Sequence, residues 1–230
     1  TPVLYFHSDE PLQVHARVWF QRGLMTQFFP LPSMVMPRVE AARRVDMSKV
    51  DMSWLTWDVD VVPKSQPAPA EIPVVDANHP WAFARQVDCA WVRTRTEGTP
   101  AHTEAEHYIF YRGLGRRQPD VAVTCTEDGV ADVKNGMKAR IPFAAVLEMG
   151  ERGGRFEAGS GVDAGVVQRF DLRHVEFIAD REQVARRLGA VVQKALEASG
   201  LYQDEARAMV ATWSRSWFHS DGSRAIYILP

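Results

Sequence analysis

Asp58 and Asp60 stand two residues apart in the run Ser53-Trp-Leu-Thr-Trp-Asp-Val-Asp-Val61. Alternate residues of a strand share a face. Both carboxylates would therefore project beside Trp54, opposite the apolar set Leu55, Trp57, Val59 and Val61. Two carboxylates on one face are the minimum equipment of a hydrolase of the glycosidase kind. Two solvated aspartates are the plainer reading of the same pattern. Trp19 has a similar position. Leu12, Val14, Ala16, Val18 and Phe20 alternate with Gln13, His15, Arg17 and Trp19, which puts Trp19 outward. Outward Trp19 and Trp54 make either a platform for a carbohydrate or peptide, or a face covered by other parts of the protein.

Other residues suggest metal chemistry. Five methionines fall between residues 25 and 52, and Met34-x-Met36 with His7 or His15 has the soft donors that take Cu(I). Their irregular spacing suits core or loop packing as well. His102 and His107 flank two glutamates, but a spacing of five matches neither one helix face nor one strand face. Only a loop would bring the two rings together, and a solvated turn is the plainer reading. No Walker A, G-x-S-x-G or H-E-x-x-H run occurs. Arg112-Gly-Leu-Gly115 holds a G-x-G with no helix pattern after it, and reads as a turn.

The bulk composition excludes several function classes. The chain has 230 residues, 46 % hydrophobic and 24 % charged, with a net charge of −2. Disorder needs lower hydrophobicity and higher charge. A nucleic-acid-binding domain is expected to be strongly basic, so nucleic acid is not an expected partner. No apolar run is long enough to span a membrane as a helix. No cofactor is called for. Cys89 and Cys125 are too few for a disulfide scaffold, and two buried free thiols are expected over one bridge.

Strand patterns fill most of the first 180 residues. They cover 3–6, 12–20, 25–29, 53–61, 86–96, 106–112, 121–126, 138–149 and 166–178. Five prolines between Pro63 and Pro80 predict a long extended loop. Arg112 to Gly115, Asp128-Gly129 and Asn135-Gly136 read as turns, the last as the strongest hairpin signal. Six glycines between Gly150 and Gly165 predict a mobile loop. The pattern then changes period. Asp180 with Gln183 three residues on predicts a capped helix start, and Gly200 predicts its end. A second helix is expected from about Tyr202 to Phe218, with a stripe of Ala206, Met209, Val210, Trp213 and Trp217.

Four stretches carry a resemblance. They are Thr1-Pro-Val-Leu-Tyr-Phe6, Trp81-Ala-Phe-Ala-Arg-Gln-Val-Asp88, Glu106-His-Tyr-Ile-Phe-Tyr-Arg-Gly113, and the run Gly200-Leu-Tyr-x-x-Glu-Ala-Arg-Ala-Met-Val210 that continues to Thr212-Trp-x-x-Ser-Trp-Phe218. Together the chain resembles a family of uncharacterised bacterial proteins of environmental Gram-negative lineages. The resemblance implies export to the periplasm or beyond and a longer natural chain, and it implies no reaction. Cys89, His7 and His219 depart from the pattern, so none of them is expected to carry a family-wide role. Glu205 lies in the first turn of the second helix, where a carboxylate suits the helix dipole. With Arg207, or paired with Arg112, it is also a candidate for a cleft between helices and sheet.

The expected fold is α+β: mostly antiparallel β, sandwich-like, as a single β-rich domain over 1–230. A helical hairpin over 180–218 packs on the sheet. The expected role is a non-enzymatic, extracytoplasmic binding or assembly module that meets a protein partner or the remainder of its own polypeptide. The alternatives are a hydrolase using carboxylates and a periplasmic copper- or metal-binding module.

Overall fold

The computed structural model describes residues 3–38, 45–68, 71–95, 103–116, 119–126 and 128–230. The fold is α+β with mostly antiparallel sheets, and two C-terminal helices pack on a sheet. No helix among the described residues is long and apolar enough to cross a membrane. The chain forms two compact units, Thr1–Ala77 with Ala84–Arg117, and Asn78–Phe83 with Gln118–Pro230.

The first unit contains β1 (Val3–Leu4), β2 (Leu12–Gln21), β3 (Gly23–Phe29), β4 (Met34–Met36), β5 (Met52–Val62), β6 (Trp91–Thr94), β7 (Ala105–Glu106) and β8 (Ile109–Gly115). A five-residue helix, α1 (Pro80–Ala84), follows the proline-rich segment. One sheet runs β2-β5-β6-β7, with β4 also paired to β5, and the other runs β1-β8-β3. Leu55, Trp57, Val59 and Val61 of β5 meet Met25 of β3 and Ile109 of β8 in a shared core. This is the expected inward set of β5, and the sandwich exists to bury it. Trp57 Nε1 donates to the Pro30 carbonyl at 2.8 Å, which satisfies the one polar atom of that buried ring.

Gly113 and Gly115 are strand residues of β8, not the turn that their spacing suggested. A Cβ on Gly113 would lie 2.4 Å from Phe20 Cε1, and one on Gly115 would lie 2.6 Å from Phe20 Cζ. The glycines leave room for the Phe20 ring.

The second unit contains β9 (Val121–Cys125), β10 (Val130–Asn135), β11 (Phe143–Gly150), β12 (Gly153–Gly159), β13 (Val167–Asp171), α2 (Arg181–Ala198), α3 (Gln203–Phe218) and β14 (Gly222–Ile228). Its sheets are β13-β10-β9 and β12-β11-β14. Strand β11 is buried on both faces. Phe143, Ala145, Leu147 and Met149 join Val184, Leu188, Val192, Ala206 and Phe218 of the helices. Ala144 and Val146 join Ala131, Val133 and Phe170 of the other sheet. A strand covered on both sides reads as an apolar run rather than an alternation, and Phe143–Leu147 is such a run.

Two expectations here are corrected. The glycine-rich stretch expected as a mobile loop holds β12, paired with β11 from Gly150↔Gly153 to Ala144↔Gly159. Its glycines permit close backbone approach, since a Cβ on Gly154 would lie 2.3 Å from the Glu148 carbonyl oxygen. Asn135-Gly136 makes no hairpin, because β10 pairs with β9 and β13 and not with β11. Instead the buried Asn135 amide donates to the Ala139 and Val162 carbonyls, and its oxygen accepts from Met137 N. The residue is a bracket between three chain segments.

The helices follow their sequence signals. Asp180 caps α2 by accepting from Glu182 N and Gln183 N, and Gly200 takes φ +107° just past its end. Leu188 is fully buried. Leu188→Ala is expected to lower the unfolding free energy by about 2–5 kcal/mol, and Asp180→Ala by about 1 kcal/mol. Denaturant titration followed by far-ultraviolet circular dichroism measures both.

Candidate functional site

The outer face of β4, β5 and β2 collects most of the residues singled out from sequence. The register β2–β5 runs unbroken from Leu12↔Val61 to Gln21↔Met52. It places Trp19 opposite Trp54, Arg17 opposite Thr56, His15 opposite Asp58 and Gln13 opposite Asp60. On the other side of β5, Met36 stands opposite Trp54 and Met34 opposite Thr56. Directly opposed residues of an antiparallel pair point to the same face. One end of the face is thus two indoles and two thioethers, and the other end is charged.

Trp19 is 58 % exposed, and the Arg17 guanidinium sits 5.8 Å from its ring centre. Arg17 Nε also donates to Thr56 Oγ1 at 3.3 Å. Trp54 is half-buried, while Met34 and Met52 are exposed.

The two aspartates are both engaged. His15 Nδ1 lies 2.7 Å from Asp58 Oδ1, and the Ser33 hydroxyl lies 2.7 Å from Asp58 Oδ2. These hydrogen bonds, from His15 first and Ser33 second, hold the Asp58 carboxyl below its ordinary value of 3.8. Ser33, His15 and Asp58 are the residue types of a nucleophilic triad, but they are wired differently. The aspartate is the hub, and no hydrogen bond joins the serine to the histidine. Asp60 takes Arg93 on Oδ2 at 2.7 Å and Arg95 on Oδ1 at 3.2 Å. A general acid at neutral pH needs a raised pKa, and Asp58 has the opposite.

The remaining candidates lie elsewhere. Arg112 is exposed on β8, opposite Gln27. Glu205 belongs to the second unit, where its Oε2 accepts from the backbone N–H of Tyr202 at 2.9 Å and braces the start of α3. Arg207 lies exposed on the same helix. Met34 and Met36 flank the tryptophans, whereas His15 is held by Asp58. His102 falls outside the described residues. His107 packs against Trp91, with ring centres 4.0 Å apart, and its Nδ1 lies 3.9 Å from Cys89 Sγ. Among the described residues no three of His, Cys, Asp and Glu converge as metal donors do. No disulfide joins the two cysteines; Cys89 is buried as expected, but Cys125 is exposed on the edge strand β9.

Sequence reasoning missed one polar centre altogether. Glu106 is fully buried, and Arg85 reaches it with Nε at 3.0 Å and Nη2 at 2.6 Å. His107 N donates to the same carboxylate at 2.9 Å. Burial drives the neighbouring Tyr108 phenol well above its usual value and pushes His107 below 6.5. The available signal was a glutamate beginning the otherwise apolar and aromatic run 106–111. This group braces the unit internally, since a buried bidentate pair has no room for substrate.

The chain matches no family model, no curated protein and no solved structure. Its functional reading therefore rests on this geometry.

Glu106→Ala strips the partner from a mostly buried guanidinium and is expected to cost about 3–5 kcal/mol of stability, read by denaturant titration. Asp58 has a folded-state pKa below its unfolded one. The stability it contributes is present above the unfolded value and is lost as pH falls through the folded one. As pH falls from neutral through and below the ordinary carboxylate range, the wild type is expected to lose more stability than Asp58→Asn, read by denaturant titration at stepped pH.

Proposed function

We propose that the chain is a non-enzymatic binding or assembly module that docks another protein surface through the exposed face of β4, β5 and β2. The occupant is a protein partner or the remainder of the same polypeptide. The observation that carries this reading is Trp19, largely exposed on a rigid sheet opposite Trp54. Around it stand Met34, Met36, Met52 and Arg17. Tryptophan, methionine and arginine are the residues enriched in the cores of protein interfaces. Thioether side chains also adapt to the shape they meet. The hydrogen-bonded row of His15, Asp58, Asp60 and Arg93 supplies a polar rim beside that apolar centre. A location in the periplasm or outside the cell is part of the proposal and rests on the family resemblance alone.

Two carboxylates already hydrogen-bonded by partners favour binding over hydrolysis. The Met34–Met36 pair is accounted for by its place beside Trp54, which favours an apolar contact over a copper site.

A photo-crosslinking amino acid at position 19, in the natural full-length protein, is expected to give one defined adduct that maps to a single protein surface. The same group at the exposed Val166 is the control. Identical adducts from both positions, or none from position 19, overturn the reading. Trp19→Ala is expected to weaken the identified contact by about 2 kcal/mol or more, roughly thirtyfold, with stability changed by less than about 1 kcal/mol.

A further inference from the structure

β2 is the outermost strand of its sheet, and among the described strands it pairs with β5 alone. In an antiparallel pair every second residue turns its backbone N–H and C=O to the partner. Arg22 N donates to the Asp51 carbonyl at 2.7 Å, in step with the neighbouring pair Gln21↔Met52. The even positions of β2 therefore bond to β5. The Asp58 carbonyl accepts from Arg95 N on the far side of β5, which gives the same phase. The backbone groups of Gln13, His15, Arg17, Trp19 and Gln21 point away from β5, and no described residue bonds to them.

Natural edge strands are ordinarily short, bulged, covered or interrupted by proline. β2 has ten residues, no bulge and no proline. Its inner row, Val14, Ala16, Val18 and Phe20, packs on the core of the first unit yet stays only half-buried. One strand further in, Leu55, Trp57 and Val59 are fully buried. The outer row carries Arg17 as its one permanent charge. Among the described residues Arg17 has only neutral partners, the Thr56 hydroxyl and the Trp19 ring. Asp58, the carboxylate beside it on β5, is already bonded to His15 and Ser33.

We propose that an extended, acidic segment of a partner protein adds to β2 as an antiparallel strand. The proposal rests on docking at the Trp19 face and states how the partner is held there. In strand addition, main-chain hydrogen bonds give affinity and alternate side chains give specificity. Apolar residues of the incoming strand lie beside Val14, Ala16 and Val18 and complete the cover of the core. Carboxylates on its other face meet Arg17 in charge-assisted hydrogen bonds. Antiparallel pairing matches the other strand pairs of the unit. A second copy of β2 suits this edge poorly. Pairing centred on Arg17 would set the two guanidiniums opposite each other, and like charges directly opposed are destabilising.

Calorimetric titration of the whole chain tests the proposal with a short capped peptide that alternates valine with glutamate, beside a version with lysine in place of glutamate. The glutamate peptide is expected to bind saturably at one site, at least tenfold tighter than the lysine peptide. In antiparallel pairing its glutamate amides face β2 and its valine amides face solvent. Methylating the glutamate nitrogens is expected to abolish binding, and methylating the valine nitrogens to leave it unchanged. Arg17→Glu is expected to reverse the order of the two peptides, whereas Lys194→Glu, exposed on α2, keeps it; circular dichroism checks that both variants fold. In the chain alone, the amides of His15, Arg17 and Trp19 are expected to exchange hydrogen fast and those of Ala16 and Val18 slowly. The glutamate peptide is expected to slow the first three. Slow exchange at those three in the chain alone places its own segment or a second copy on the edge and overturns the proposal. Glutamate-peptide binding indifferent to methylation, or equal binding of the lysine peptide, also overturns it. A single crosslinked adduct from position 19 with no glutamate-peptide binding overturns strand addition and leaves docking at the Trp19 face standing. Absence of that adduct removes the docking reading and this proposal with it.

Discussion

Everything on the exposed face of the first unit depends on the register between β2 and β5. Ten residues of β2 oppose ten of β5 without a bulge. A slip of one residue would turn Trp57, Leu55 and Val59 to water and bring Asp58 and Asp60 into the core. The fully buried Trp57, tied to the Pro30 carbonyl, makes that slip costly. The same constraint that protects the core therefore aligns Trp19 with Trp54 and His15 with Asp58. The exposed face is the reverse side of a packing solution.

The second unit solves a different problem with one strand. β11 must be apolar on both sides, because helices cover one face and the β13-β10-β9 sheet covers the other. Glycines at β12 then allow the neighbouring backbone to come close enough to pair. Few of the candidate chemical residues fall in this unit. Glu205, the most prominent of them, holds a backbone N–H at a helix start, a structural task.

Much of the fold was legible in the sequence. The alternation over 12–20 and 53–61 marked two half-buried strands. The Asp180 and Gly200 signals bounded α2 to within a residue or two. The outward positions of Trp19, Trp54, Asp58 and Asp60 followed from period two alone. The failures share a cause. Gly113 and Gly115 read as a turn, and Gly154 as part of a mobile loop, because glycine is conformationally free in an isolated chain. In the structure Gly113 and Gly115 lie against the Phe20 ring, and Gly154 against the Glu148 carbonyl of the paired strand. Asn135-Gly136 read as a hairpin because the signal is local, yet the Asn135 amide is claimed by Val162, 27 residues away.

The sequence by itself determined which residues face in and which face out, and where the helices begin and end. Those properties depend on periodicity and on contacts within a few residues. Only the tertiary structure decided which strand lies beside which. With that came the partners of Asp58 and Asp60 and the buried Arg85–Glu106 pair. Each of these joins residues 21 or more positions apart. No local pattern encodes such pairs, because their meeting is fixed by sheet order and core packing rather than by the residues that meet.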